Sequence, residues 1–138
     1  MSKTEDLFTS ELKNFSGACL CGRVKFRSLN PPYNVGYCHC DMCQRSLGNL
    51  FGTWVILKTK DIEFTAGHPT WYQSSDHVRR GFCSDCGSPI CYDPTEKDFT
   101  AMWIGTLDNR EAYQPRAHWH TKNKISWVDI HSHLPVRS

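Results

Sequence analysis

The stretch Cys19-Leu20-Cys21-Gly22 and its counterpart Cys83-Ser84-Asp85-Cys86-Gly87 each place two cysteines on a turn that ends in glycine. Glycine permits the positive φ that lets such a turn wrap around a metal ion. Two cysteine pairs supply the four thiolates of a closed, tetrahedral structural zinc site. The sequence therefore predicts a zinc that ties the start of the domain to its middle; pairs of buried or redox-active thiols are the alternative. The predicted ligands, here called the four-cysteine cluster, are Cys19, Cys21, Cys83 and Cys86.

A second group of cysteines lies in the stretch Cys38-His39-Cys40-Asp41-Met42-Cys43. Three protein thiolates with no fourth nearby are typical of catalytic zinc, whose open position takes water or a substrate group. This three-cysteine cluster (Cys38, Cys40 and Cys43) is therefore the predicted catalytic site and second zinc site. His39 lies between two of these ligands, and on an extended segment its side chain is expected to point away from the metal. The spacing also allows a closed site completed by a distant ligand, for which the candidates are Cys91, His118 and His120.

The composition excludes several classes of protein. The chain has 138 residues, eight cysteines and a formal net charge of +2. So small a charge gives little drive for nucleic-acid binding, and no apolar run is long enough to span a membrane. The first residues are polar and lack the apolar stretch of a secretory signal, so we expect a cytoplasmic or, alternatively, a nuclear protein. Thiols stay reduced there, which favours metal ligation over disulfides.

Short runs of alternating or β-branched residues, separated by turn residues, predict a mainly β fold with a few short helical turns. A flexible lead is expected over residues 1–13 and a single domain over residues 14–138. The best helix candidate begins near Asp41, as a possible N-cap, and ends at Gly48. Another short turn is expected over residues 107–112. The predicted strands are 23–27, 35–38, 51–57, 62–65, 71–73, 77–82, 90–92, 100–104 and 126–131.

Longer motifs surround the cysteines, and they are residues 17–24 (GACLCGRV), 38–43 (CHCDMC) and 82–89 (FCSDCGSP). Together they resemble the glutathione-dependent formaldehyde-activating enzyme family, which also contains centromere protein V. Residues 105–108 (GTLD) and 115–118 (PRAH) are similar to the second half of that family, so the likeness covers nearly the whole chain. The resemblance implies twisted antiparallel sheets with zinc knuckles, a structural zinc in the four-cysteine cluster and a catalytic zinc in the three-cysteine cluster.

The resemblance also implies an activity. It points to a carbon–sulfur lyase that adds glutathione reversibly to formaldehyde, giving S-hydroxymethylglutathione, with a small thiol such as glutathione as the expected partner. Two alternatives remain open, because a fold does not fix a function. One is a non-catalytic interaction module with two structural zincs. The other is a related enzyme that acts on another small electrophile or thiol adduct.

Further side chains are candidates for the chemistry around the metal. Lyase chemistry needs a proton-transfer partner, and the sequence does not choose among five histidines, which are His39, His68, His77, His118 and His120. Candidates for an apolar rim are the aromatic residues Phe51, Trp54, Trp71 and Trp103. Candidates for binding a carboxylate are Arg45, Arg79 and Arg80. Cys91 belongs to neither cluster and is expected to be an inert buried thiol.

Overall fold

The computed structural model describes residues 15–137, so the lead predicted over residues 1–13 lies outside the described part. Its strands are β1 (Phe15–Ala18), β2 (Lys25–Ser28), β3 (Asn34–Cys38), β4 (Gly52–Lys58), β5 (Ile62–Ala66), β6 (Thr70–Ser75), β7 (Val78–Phe82), β8 (Pro89–Pro94), β9 (Phe99–Trp103), β10 (His118–Trp119) and β11 (Val136–Arg137). One α-helix of the described chain, α1, spans Asp41–Leu47. No helix in this range is both long and apolar enough to cross a membrane.

The strands form two sheets, which confirms the predicted mainly β fold. A three-stranded sheet has the order β1-β2-β5, and an eight-stranded sheet has the order β11-β10-β3-β4-β9-β8-β7-β6. Most neighbours pair antiparallel, as expected. The difference lies at one edge of the larger sheet, where β10 pairs parallel with both β3 and β11. Four 3-10 turns complete the described elements, at Thr59–Asp61, Ile104–Thr106, Arg110–Ala112 and Thr121–Asn123.

The strand predicted over residues 126–131 is wrong. This segment forms consecutive turns, in which the Val128 N–H donates to the Ile125 carbonyl and the Leu134 N–H donates to the His131 carbonyl. The backbone of His131 has a φ of 43°, which no strand accommodates. Trp127 is exposed and Val128 is buried, so one apolar residue of the run packs inside without the segment forming a strand. In these turns the backbone N–H and C=O groups form local hydrogen bonds, whereas a strand would pair them with a neighbouring strand.

The helix prediction over residues 41–48 is confirmed, with a different N-cap. Cys40, and not Asp41, is the cap: its extended backbone ends the preceding segment and its Sγ accepts a hydrogen bond from the Cys43 N–H. Asp41 lies in the first turn and pairs with Arg45 one turn later. Gly48 ends the helix in the left-handed conformation, with a φ of 60°. One thiol therefore fixes where the helix begins.

The two faces of the larger sheet have different roles, because successive side chains of a strand point to opposite faces. One face carries Val35, Val55 and Met102, which join Phe15 and Phe26 of the smaller sheet in the main core. The opposite face carries the residues that alternate with these. They include Asn34 and Cys38 on β3, Trp54 and Ile56 on β4, Tyr92 on β8, and Phe99, Ala101 and Trp103 on β9. One face of the larger sheet therefore packs in the main core, and its opposite face lines a possible site.

Candidate metal centre and its cavity

The four-cysteine cluster is assembled from two loops. Cys19 and Cys21 follow β1, and Cys83 and Cys86 follow β7. Their Sγ atoms all lie within 4.8 Å of one another, and two neighbouring pairs, Cys19–Cys21 and Cys21–Cys83, are 3.6 and 3.8 Å apart. Gly22 and Gly87 have φ values of 78° and 77°, the positive φ that the sequence predicted for both turns.

These distances fit a zinc ion. A tetrahedron with Zn–S bonds of about 2.3 Å has S···S edges of about 3.8 Å. The surrounding loops also supply hydrogen bonds to the sulfurs: the Val24 N–H donates to Cys19 Sγ, and the Ser88 hydroxyl lies 3.1 Å from Cys86 Sγ. The contact with Ser88 lowers the pKa of the Cys86 thiol to about 5. A group that binds metals as a thiolate is therefore already disposed to lose its proton.

The three-cysteine cluster is built by one short segment. Cys38 is the last residue of β3, Cys40 caps α1, and Cys43 lies in the first turn of that helix. Their Sγ atoms lie within 4.8 Å of one another, and those of Cys38 and Cys40 are 3.4 Å apart. Three thiols in this arrangement fit three corners of a zinc tetrahedron. No fourth cysteine, histidine or carboxylate of residues 15–137 belongs to the group.

The thiols of this cluster share their protons unequally. Hydrogen bonds from the thiols of Cys38 and Cys43 lower the pKa of Cys40 to about 2. The contacts with Cys40 and Cys43 raise the pKa of Cys38. A negative charge is therefore stabilised on the sulfur of Cys40, at the N-terminus of α1. A metal ion that replaces the remaining protons would find one thiolate already formed.

Arg80 is a buried cation beside the cluster. It lies on β7 and is 7% exposed. Both terminal nitrogens of its guanidinium point at Cys43 Sγ, at 3.9 and 3.8 Å, and its carbon lies 5.1 Å from the centre of the Tyr92 ring. A guanidinium held between this sulfur and an aromatic face offsets the negative charge of the cluster where water has little access. The sequence identified Arg80 only as one of three arginines for a carboxylate.

His39 does not belong to the metal group, in agreement with its predicted orientation. Its ring is fully buried, and its Nε2 lies 2.8 Å from Nδ1 of His118. Nε2 of His118 donates to the His131 carbonyl, which leaves Nδ1 of His118 to form the bond with His39. Burial, with the charges of His118 and Lys124, lowers the pKa of His39 to about 4. The two hydrogen-bonded rings thus fasten the cysteine segment to the C-terminal part of the described chain.

An aromatic cavity of about 420 Å³ opens beside the three-cysteine cluster. Its lining residues are Tyr33, Asn34, Cys38, Cys40, Cys43, Trp54, Ile56, Tyr92, Phe99, Ala101, Trp103, Trp119 and His120. The sheet register creates this space: Trp54 pairs with Trp103, and Gly36 leaves room above β3. A Cβ at Gly36 would lie 2.8 Å from the Trp54 ring and 2.9 Å from the Trp119 ring. Glycine is therefore required under these two tryptophans.

The other side chains that the sequence suggested for the site differ in whether they line the cavity. Of the predicted rim residues, Trp54 and Trp103 line the cavity, whereas Phe51 packs on Tyr37 and Trp71 stacks on Arg79. Arg45 and Arg79 are paired with Asp41 and Asp93. Of the five histidines, His120 is the one that lines the cavity, while His77 pairs with Glu96 and His68 lies against Phe64. Cys91 is fully buried in the main core, as expected for an inert thiol, and burial raises its pKa to about 12.

Several cavity residues were missed by the sequence reasoning. Those with a readable signal are Ile56, Tyr92 and Ala101, which alternate with core residues on predicted strands; Phe99 lies one residue before the strand predicted over residues 100–104. Trp119 had no such signal, because its strand β10 is only two residues long. Its position next to Cys38 depends on the parallel pairing of β10 with β3, which joins distant parts of the chain.

Comparisons with known proteins agree with this arrangement of cysteines and strands. The family model described as glutathione-dependent formaldehyde-activating enzyme matches residues 14–123. A Halomonas elongata protein named "Putative glutathione-dependent formaldehyde-activating enzyme" is 30% identical over 128 residues, covering 84% of this chain and 80% of that protein. A Rhodobacter sphaeroides crystal structure shows a similar fold, with a TM-score of 0.58 and 20% identity over 88% of this chain and 99% of the other. Because the family model spans most of its length, this chain belongs to the glutathione-dependent formaldehyde-activating enzyme family.

Proposed function

We propose that the chain is a zinc-dependent carbon–sulfur lyase that forms and cleaves small thiol adducts such as S-hydroxymethylglutathione. The observation that carries the proposal is the three-cysteine cluster at the wall of a cavity, with no fourth protein ligand among the described residues. A closed structural site has no need of a cavity, whereas a catalytic site needs room for its substrate. Family membership supports glutathione and formaldehyde as the substrates.

The proposal assigns different roles to the two clusters. The four-cysteine cluster would hold a structural zinc, and Cys38, Cys40 and Cys43 would hold a catalytic one. A zinc ion bound there would supply a Lewis acid with one exchangeable position. Arg80 would offset the thiolate charge of Cys43, and the tryptophans of the cavity would exclude water from the reacting groups. Three thiolates around a dication leave a net negative charge, which makes the exchangeable ligand easier to release.

His120 is the proposed proton carrier. In the cleavage direction the carbon–sulfur bond breaks, the sulfur keeps the electron pair, and the hydroxyl group of the adduct loses its proton as the aldehyde forms. An imidazole can accept that proton and return it to the sulfur. His120 lines the cavity and is exposed, so it can exchange protons with solvent between turnovers. We further propose that the enzyme works in the cytoplasm, where thiols remain reduced.

Exchange spectroscopy by NMR tests the lyase activity directly. Formaldehyde and glutathione equilibrate spontaneously with their adduct, and the zinc-loaded protein should accelerate the exchange between them. A Cys43→Ser variant should lose the acceleration, because it lacks one ligand of the three-cysteine cluster. A Cys91→Ser variant is the matched control, since this cysteine lies in neither cluster and should leave the acceleration intact. Exchange that stays at the spontaneous rate with two zincs bound, both with glutathione and with an uncharged thiol, would refute the proposal.

A further inference from the structure

The cavity beside the three-cysteine cluster has walls of a distinct chemistry. Seven aromatic side chains line it, if His120 is counted with Tyr33, Trp54, Tyr92, Phe99, Trp103 and Trp119. The lining residues of the described chain include no lysine, arginine, aspartate or glutamate. Asn34 and His120 are its polar members apart from the tyrosines and the cysteines. Such walls favour an uncharged, apolar guest.

Glutathione is a poor match for these walls. At neutral pH the tripeptide carries two carboxylates and one ammonium group, and burying an unpaired charge is costly. Arg80 is not among the residues that line this cavity: it lines a separate groove on the other side of Cys43, and its terminal nitrogens face the Cys43 sulfur. At Tyr33 the nearby charge is negative, since Asp98 acts with burial to raise the pKa of that phenol. Carboxylates would therefore meet repulsion from the thiolates and from Asp98.

The size of the cavity also admits an apolar guest. A formaldehyde-derived group contributes one carbon atom, which leaves nearly all of the 420 Å³ to the thiol part of an adduct. A cavity of about 150 Å³ already accommodates benzene. The space along Trp54, Trp103 and Phe99 is thus large enough for an aromatic ring with a short linker to the sulfur.

We propose that the preferred thiol at this site is an uncharged aromatic or similarly apolar thiol rather than glutathione. The inference rests on the proposed lyase function and names its substrate class. For phenylmethanethiol the step is the cleavage of its hydroxymethyl thioether to phenylmethanethiol and formaldehyde. The carbon–sulfur bond breaks, the sulfur keeps the electron pair and gains a proton, and the hydroxyl oxygen loses its proton, so no oxidant or reductant is needed. The benzyl group lies against the aromatic walls, and the reacting carbon lies at the cysteine end of the cavity.

Equilibrium binding tests the preference without relying on catalysis. Zinc-loaded protein is titrated with phenylmethanethiol and with glutathione, and the signals are heat and the fluorescence of the cavity tryptophans. We expect phenylmethanethiol to bind at least about tenfold more tightly, because burying a phenyl ring contributes at least the 1.4 kcal/mol that corresponds to tenfold. Equal affinities, or tighter binding of glutathione, would overturn the inference.

A charge placed in the cavity should reverse the preference. Phe99 is half-buried at the start of β9, so Phe99→Arg adds a cation to the wall without burying it fully. We expect this variant to bind phenylmethanethiol at least about fivefold more weakly and glutathione more tightly. Trp127→Arg is the matched control, because Trp127 is exposed outside the cavity and the change also replaces an aromatic residue by arginine. A Phe99→Arg protein with the wild-type affinity ratio would contradict the inference.

The exchange rates separate this inference from the proposed function. If formaldehyde exchange is accelerated with glutathione but not with phenylmethanethiol, the lyase function stands and the inference fails. If the protein accelerates exchange with phenylmethanethiol, either alone or more than with glutathione, both the function and the inference stand. If it accelerates neither, the lyase function fails, and the two binding experiments alone decide the chemistry of the cavity.

Discussion

The four-cysteine cluster takes its ligands from two loops at opposite ends of a long stretch of chain, whereas the three-cysteine cluster takes all of its ligands from one short segment. The first joins the loop after β1 in the smaller sheet to the loop after β7 in the larger one. The second forms where β3 runs directly into α1. The four-cysteine cluster therefore connects two sheets, whereas the three-cysteine cluster lies at the end of a single strand.

This difference has a thermodynamic consequence. A metal that joins distant loops adds its binding energy to the stability of the whole fold, because the unfolded chain does not bring those loops together. Ligands that lie within one strand-to-helix segment need little long-range structure to meet. His39 and His118 also hold that segment in place by a hydrogen bond that involves no cysteine. We infer that loss of the metal has different effects at the two sites. Without its metal the four-cysteine cluster no longer stabilises the fold, whereas the three-cysteine cluster loses only the reactive centre.

Replacing one ligand in each cluster is the strongest way to break the comparison. Cys83→Ser should lower the free energy of unfolding by several kcal/mol and prevent stable folding, because Cys83 is fully buried and the site it serves contributes directly to folding. Cys40→Ser should lose one zinc per chain and keep its circular dichroism spectrum and a cooperative thermal transition. Metal analysis with thermal unfolding measures both effects. A Cys40→Ser protein that unfolds would show that the three-cysteine cluster is also structural.

Arg80 sharpens the comparison, because it acts on one cluster alone. Arg80→Met removes the guanidinium that faces Cys43 and keeps an apolar side chain of similar length over Tyr92. We expect zinc affinity at the three-cysteine cluster to fall by about tenfold to 100-fold, in line with losses at other groups that support metal ligands. Affinity at the four-cysteine cluster should not change. Competition with a chromophoric chelator resolves the two sites.

Arg79→Met is the matched control for this prediction. Arg79 neighbours Arg80 on β7 but points to the opposite face, where it pairs with Asp93 and stacks on Trp71. Its loss should leave both zinc affinities unchanged. An Arg80→Met protein that retains wild-type affinity at the three-cysteine cluster would show that the guanidinium has no influence on the thiolates.

The two clusters also differ in how much of them the sequence could predict. All seven cysteines of the clusters meet as their spacing suggested, since cysteine pairs on glycine turns are a local signal. The surroundings are not local. Arg80 reaches Cys43 because β7, β8 and β9 pair across the sheet. No sequence pattern near Arg80 indicates that its side chain lies beside a cysteine of the cluster. The cavity depends on Trp119, which a two-residue parallel strand brings beside Cys38.

The fold shows the same limit. Strands with clear alternation, such as β4 and β7, were predicted within a residue or two, because one of their faces packs on the core. The stretch 126–131 has apolar residues but no neighbouring strand, and its backbone groups bond within local turns. The strand β11 was missed because both of its residues are exposed and carry no pattern. Periodicity reveals which residues face a core, whereas edge strands and turns depend on distant partners.

Cys91, which belongs to neither cluster, gives the smallest expected effect and shows how a thiol behaves without a metal. Burial raises its pKa to about 12, whereas a thiol in an unfolded chain has a pKa of about 8.5. Above the lower value the unfolded chain releases a proton that the folded chain keeps, so stability falls as the pH rises toward the folded pKa. Between about pH 7.5 and about pH 9.5, wild-type protein should lose about 1 kcal/mol more stability than Cys91→Ala.

Denaturant unfolding of the zinc-loaded proteins at the two pH values measures this difference. The other cysteines are common to both proteins, so their titration cancels in the comparison. Cys91→Ala should itself be less stable at neutral pH, because Cys91 Sγ fills the space above Gly81, where a Cβ would lie only 2.8 Å away. An identical pH dependence in the two proteins would mean that the thiol of Cys91 ionises as readily in the fold as in the unfolded chain. Cysteine burial alone would then not separate a packing thiol from the metal ligands of the two clusters.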